Sequence, residues 1–177
     1  MRQRHTRVLA LLDQHGAALH RLVARITRCE HTTSDLMQEL FICLTRSDAF
    51  GKASKPYAYA WKAAANLAFD WRRRQKVKLQ PLPETSLPDE QSAPALAQMI
   101  QEEQFAQVLQ CTTKLNELSR HVVIMRYIEQ ASYEQIAQRL GKDPGHMRTL
   151  CSKAISQLRH RLNKHPHTHT DREVSHG

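Results

Sequence analysis

The 177-residue chain carries 26 Lys+Arg against 17 Asp+Glu, a formal net charge of +9, and its pI is about 9.7. That length accommodates one or two small domains, and the excess of cations points to a polyanionic partner. No apolar run approaches the roughly 20 residues of a membrane span, and the opening MRQRHTRVLALLDQHG lacks the apolar stretch and cleavage site of a signal peptide, so a cytoplasmic protein with no membrane insertion is expected.

The charge is unevenly distributed. Residues 1–78 hold 15 Lys+Arg and 6 Asp+Glu, residues 79–113 hold 5 acids and no Lys or Arg, and residues 114–177 hold 11 Lys+Arg and 6 acids. Two basic blocks therefore flank an acidic middle. Cys29, Cys43, Cys111 and Cys151 are far apart and form no C-x-x-C pair; buried, reduced thiols are the expectation.

Residues 6–28 read as an amphipathic helix, with Leu12, Leu19, Leu22, Val23 and Ile26 at helical spacing. A second helix follows His31-Thr32-Thr33-Ser34, whose hydroxyls are suited to capping its free amides, and buries Leu36, Leu40, Phe41 and Leu44. Its other face carries Asp35, Gln38, Glu39 and Ile42. An acidic-polar face inside a basic block repels DNA and suits a protein partner.

A third helix is expected from Pro56, a favoured first-turn residue, to the Arg72-Arg73-Arg74 cluster. Tyr57, Trp61, Ala64, Ala68 and Trp71 share the side expected to be buried. Lys55, Tyr59, Lys62, Asn66, Phe69, Asp70 and Arg73 share the other. Cations follow phosphates, aromatics stack on unpaired bases and an amide reads a base edge, so this side has the chemistry for single-stranded nucleic acid.

The stretch LQPLPETSLPDEQSAP holds four of the seven prolines and reads as a linker, assigned to residues 79–98. Helical periodicity resumes near Ala95, and a further helix from about Asn116 carries Val122, Val123, Met125 and Ile128. The segment SYEQIAQRLGKDPGHMRTLCSKAISQLRHRL then reads as a helix-turn-helix. Ser132 and Gln135 form a capping box, Gly141 ends the first helix in the left-handed region, and Pro144 opens the second. Met147, Leu150, Cys151, Ala154, Ile155, Leu158 and Leu162 fall on one side of that second helix. Arg148, Thr149, Ser152, Lys153, Ser156 and Arg159 fall on the other, which has no acid. Small hydroxyls allow approach to base edges, and Arg148 has the reach for guanine or phosphate. In the tail NKHPHTHTDREVSHG the alternating spacing of His165, His167 and His169, with His176, is one that binds a transition metal, but the tail is read first as a disordered polar segment, and no metal site, cofactor or catalytic set is assigned.

The fold class is therefore all-α: a helical domain over 1–78, a flexible acidic Pro-rich linker over 79–98, a second helical domain over 99–164, and a tail over 165–177. A stand-alone helix-turn-helix regulator binding duplex DNA accounts for residues 116–162 but not for the Tyr59, Asn66 and Phe69 face.

Three stretches in order resemble the extracytoplasmic function (ECF) family of RNA polymerase sigma factors. Thr33–Phe41 resembles the family's D-x-x-Q-E-x-F helix. Tyr57–Arg73 resembles its W-L-x-x-I-A-x-N-x-A-x-D-x-x-R stretch. Leu118-Ser119-Arg120 through Arg126-Tyr127, with Ser132–Ala137, resembles its region 4 pattern. Trp61 and Tyr59 depart from the usual residues, Asn116 replaces a usual Pro, and Lys142–His146 departs from the common start of the recognition helix.

The resemblance implies a sigma region 2 bundle, a sigma region 4 helix-turn-helix and no enzymatic activity. It implies that Asp35, Gln38, Glu39 and Ile42 touch core RNA polymerase at the β′ clamp helices, with the β flap as a second polymerase contact. It implies that Ala53, Ser54, Lys55 and Asn66, with Tyr59, Lys62 and Arg73, engage the −10 promoter element. Arg148, Thr149 and Ser152 are implied to face −35 bases and Lys153 the DNA backbone. An anti-sigma factor is implied as a further partner.

Overall fold

A computed structural model describes the backbone over residues 2–75 and 93–163 and the side chains over 4–75, 101 and 103–163. The described residues contain no strand. The tail over 165–177 and the linker over 79–92 lie outside them. The linker expectation is corrected at its end, because residues 93–98 already belong to a helix.

In the N-terminal unit, α1 (Arg2–Thr27), α2 (Glu30–Arg46) and α4 (Pro56–Gln75) pack against one another, with a one-turn helix α3 (Asp48–Lys52) at the corner between α2 and α4. Val8, Leu11, Leu19, Leu22, Val23 and Ile26 form the buried stripe of α1, and Leu36, Leu40 and Leu44 that of α2. Each such side chain contributes about 1.5–3 kcal/mol by leaving water. The buried face of α4 is rich in small residues, Ala60, Ala64, Ala65 and Ala68, which let it lie close to α1. α3 was not expected from the sequence. The Ser47 side chain accepts from Phe50 N at 3.1 Å to cap it, and Phe50 is wholly buried.

Two expectations about the second helix are corrected. The hydroxyls of residues 32–34 do not cap it: it begins at Glu30, and its N-cap Cys29 makes no side-chain cap bond. Thr33 is buried one turn inside, its hydroxyl 2.8 Å from both Thr27 Oγ1 and Cys29 O. Nor are all thiols buried. Cys43 is exposed because α1 and α4 pack on the Leu36/Leu40/Leu44 side of α2, and Cys29 is exposed at the turn that precedes it. Cys111 and Cys151 are buried, and all four are unpaired.

The C-terminal unit comprises α5 (Ala93–Thr112), α6 (Glu117–Val123), α7 (Tyr133–Leu140) and α8 (Pro144–Asn163), with α8 packed on the other three. Asn116 Oδ1 accepts from Ser119 N at 2.8 Å and caps α6. The helix then widens into a π turn over Ile124–Ile128, where Glu129 N donates to Ile124 O at 3.1 Å. The extra residue lets consecutive Ile124 and Met125 both face inward. The expected capping box is present at Ser132 and Gln135, and Gly141 takes φ 67° at the end of α7. Asp143 Oδ1 accepts from His146 N at 3.0 Å at the start of α8.

The two units meet along a seam. One apolar cluster runs through both and includes Ala60, Trp61 and Phe69 of one unit and Val122, Ile124 and Met125 of the other. Among the described residues no helix of one unit packs closely along a helix of the other, and long side chains such as Trp61, Lys55 and Arg120 bridge the crossing. No helix among the described residues is long and apolar enough to cross a membrane.

Candidate nucleic-acid interface

Three surfaces carry the candidate residues. On α2, Asp35, Gln38, Glu39 and Ile42 are all exposed and share the face opposite Leu36, Leu40 and Leu44. Their spacing of three, one and three residues sets them on adjacent turns. Ile42, 46% exposed, is an apolar side chain at the end of this acidic-polar patch. The His31 ring lies 3.9 Å from Asp35.

On α8, Arg148, Thr149, Ser152 and Lys153 are exposed, while Met147, Cys151, Ala154 and Leu158 are buried. The division expected at 100° per residue is the one observed. Thr149 Oγ1 donates to Gly145 O at 3.1 Å, and the Arg148 guanidinium lies over the Tyr133 ring, 5.5 Å from its centroid. α7 thereby holds one side of this basic face.

The third surface, on α4 and the loop before it, differs most from expectation. Arg7 reaches across from α1 to donate to Gly51 O and, at 2.5 Å, to Ala53 O, fixing the loop that carries Ala53, Ser54 and Lys55. Ser54 and Lys55 are exposed and Ala53 is half-buried. The Tyr59 hydroxyl lies 2.9 Å from Ser47 Oγ, and its ring centroid is 5.9 Å from that of Phe50. It is tied into the α3 corner and is not a free stacking platform. Phe69 was expected on the nucleic-acid side but is fully buried, beneath the Arg120 guanidinium at 5.3 Å. Trp61 is buried as expected, whereas Tyr57 and Trp71 are only half-buried. Arg73 is exposed and paired with Asp70, and Lys62 is half-buried.

Asn66 is half-buried and faces the C-terminal unit. Its Nδ2 donates to Glu117 Oε1 at 3.2 Å, and its Oδ1 lies 3.3 Å from Arg120 Nη2 and 3.2 Å from His121 Nε2. Lys55 Nζ donates to Gln138 O at 2.8 Å. Trp61 Nε1 donates to Glu129 Oε1 at 2.6 Å, and Glu129 Oε2 accepts from Arg139 at 2.6 Å. Arg25 donates to Ile128 O, and Arg28 lies over the Phe105 ring.

Glu117, Arg120, His121, Glu129 and Arg139 were not singled out from the sequence. Glu117, Arg120, His121 and Glu129 meet partners on α4, 51 to 68 residues away, and Arg139 joins them through Glu129; helical periodicity carries no signal of that. Burial pushes His121 down to about 4 from the usual 6.5, with Glu117 opposing and Arg120 and Lys62 adding to the shift. Arg120 is also held below its usual value, by burial first and then by Arg73. Its Nε is buried with no partner. Among the described residues no group of His, Cys, Asp and Glu is arranged to hold a metal.

Residues 11–77 match the family described as Sigma-70 region 2, and residues 105–158 match Sigma-70, region 4. Among curated proteins, the ECF RNA polymerase sigma factor SigE of Mycolicibacterium smegmatis is 31% identical over 159 residues, covering 88% of this chain and 61% of that protein. The chain thus spans about three fifths of that relative's length. A solved structure of CnrH in complex with the cytosolic domain of CnrY aligns at 18% identity with a TM-score of 0.46, covering 89% of this chain and 88% of that one.

Proposed function

The chain belongs to the ECF sigma factors of the sigma-70 family, and from that premise we propose that it binds core RNA polymerase and directs it to specific promoters. The observation that carries this is the pairing, on one chain, of an exposed acidic-polar face on α2 with an exposed acid-free face on α8. The first repels DNA and suits a protein; the second attracts the DNA backbone and repels basic surfaces. In this reading Asp35, Gln38, Glu39 and Ile42 dock on the β′ clamp helices, and the β flap receives the C-terminal unit. Arg148, Thr149 and Ser152 read −35 base edges while Lys153 neutralises phosphate.

Ala53, Ser54, Lys55, Tyr59, Lys62, Asn66 and Arg73 form the −10 surface. Tyr59 serves it as a support for the loop through Ser47, since its hydroxyl is engaged there. Residues 1–78 act as region 2 and 99–164 as region 4. The protein performs no catalysis itself, works in the cytoplasm with polymerase, and is held in check by an anti-sigma factor.

Run-off transcription with purified core polymerase on genomic fragments tests the proposal. Discrete transcripts that need both the protein and core are expected. A stand-alone regulator would instead shift promoter duplexes without core and yield no protein-dependent transcript; that outcome would overturn the reading.

A further inference from the structure

Asn66 sits at the centre of the proposed −10 surface, yet its amide is already engaged. Glu117 takes its donor, and Arg120 and His121 take its acceptor. A base edge requires that same donor and acceptor. The occupation extends along the helix. Lys55, at one end, is bound to the Gln138 carbonyl; Trp61 is bound to Glu129; and Phe69, at the other end, is roofed by Arg120.

We infer that the C-terminal unit is a built-in competitor for the DNA-reading face of α4, so that α6 occupies Asn66 in the free protein and single-stranded DNA gains that face only when the seam opens. This rests on the promoter-reading role proposed above. Glu117 and Glu129 set carboxylates against α4, and Glu117 takes the amide donor a nucleotide would use.

Three features make the seam a releasable lock. It is bridged by long side chains and not by closely packed helix pairs, so neither unit must unfold for it to part. It encloses a cost, because the Arg120 guanidinium is buried with an unpartnered Nε that would regain water on opening. It is also selective. None of the seam contacts named above involves α2, whose Asp35, Gln38, Glu39 and Ile42 are exposed, and Arg148, Thr149, Ser152 and Lys153 remain exposed in the closed form. The closed protein can therefore dock on polymerase first and uncover the −10 surface afterwards.

The test uses the full chain with Glu117→Ala and Glu129→Ala combined, which removes both acceptors from α4 and touches no residue of the proposed polymerase or DNA contacts. The probe is a fluorescein-labelled single strand carrying the −10 element of a promoter found by run-off transcription, read by anisotropy. If the closed form dominates in the parent, its apparent dissociation constant is the intrinsic one divided by the open fraction, so the free variant should bind roughly tenfold more tightly. Small-angle scattering should show a larger radius of gyration. Parent and variant holoenzymes should bind the strand equally well, core having opened both.

Free-variant affinity equal to the parent's, while holoenzyme binds the strand, overturns the lock alone, whatever the radius of gyration. Failure of both holoenzymes to bind the strand overturns the promoter-reading role and the lock with it. Should the double variant lose its helical circular dichroism, Glu117→Ala alone, at an exposed position, should give about a threefold gain, and no gain there overturns the inference.

Discussion

Trp61 Nε1 donates a 2.6 Å hydrogen bond to Glu129 Oε1, across 68 residues of sequence and from one helical unit to the other. The same carboxylate receives Arg139 at 2.6 Å, and the Trp61 ring meets His121 edge-on at 5.2 Å between centroids. Trp61→Phe keeps most of the apolar volume and removes one hydrogen bond, a loss of about 0.5–1.5 kcal/mol. Glu129→Ala leaves a buried indole donor and Arg139 without their acceptor, and should cost about 1–3 kcal/mol. Urea unfolding midpoints measure both. A midpoint for Glu129→Ala above that of Trp61→Phe would show that the carboxylate does not hold the seam.

The stability of the closed form should fall in mild acid. His121 is buried among Trp61, Asn66, Glu117, Arg120 and the nearby Lys62, and burial holds it down to about 4. Exposed to water it titrates near 6.5. Between those values the opened or unfolded chain binds a proton that the closed chain does not, so stability rises with pH across the window. The contribution is complete above about pH 6.5 and is lost as pH falls toward 4, amounting to at most about 3 kcal/mol. In His121→Phe the slope of midpoint against pH between 6.5 and 4 should flatten relative to the parent. Identical slopes would place the acid sensitivity elsewhere.

Charge reversal on α2 separates binding from folding. Asp35 and Glu39 are exposed, and their replacement by Lys should change stability by less than about 0.5 kcal/mol. Affinity for core polymerase should fall at least tenfold in a pull-down titration. Full retention of core affinity by the double variant would remove α2 from the polymerase contact.

On α8, Arg148→Ala and Lys153→Ala should differ in kind. A well-placed base contact is worth about 1–3 kcal/mol of discrimination, so Arg148→Ala should relax preference at one or two adjacent −35 positions. Lys153→Ala should weaken all promoters alike and lower the salt slope by about one. Binding selections with each variant holoenzyme give the comparison. A −35 preference unchanged by Arg148→Ala would mean that this residue meets only the backbone or Tyr133, over which it lies.

Asn66→Ala should impair promoter opening more than initial promoter binding. Extruding a base costs a few kcal/mol, which the amide helps to offset. On a template already mismatched across the −10 region part of that cost is absent, and part of the defect should disappear. Permanganate reactivity of −10 thymines at the parental level in the Asn66→Ala holoenzyme would reduce the residue to its seam contacts with Glu117, Arg120 and His121.

Features governed by residues a few positions apart were legible in the sequence. The spacing of Leu36, Leu40 and Leu44 placed the buried face of α2, and hence the exposure of Asp35, Gln38, Glu39 and Ile42. The Ser132–Gln135 box, Gly141 and the acid-free side of α8 set out the helix-turn-helix before any fold was known. These are determined locally, because a cap, a left-handed residue and a helical face depend on one or two turns of chain.

What lies around each face was decided only by the tertiary structure. On α4, periodicity placed Phe69 beside Asn66 and Tyr59 but could not show that Arg120 covers one, α6 engages the second and Ser47 ties down the third. On α2 and at its N-cap it could not show that Cys43 and Cys29 face outward. Helical spacing gives a side chain's angle about its own axis, whereas burial and hydrogen bonding depend on which other helix arrives at that angle. For Asn66 those partners are 51 to 55 residues away, and only the packing of two units along the seam brings them within bonding distance.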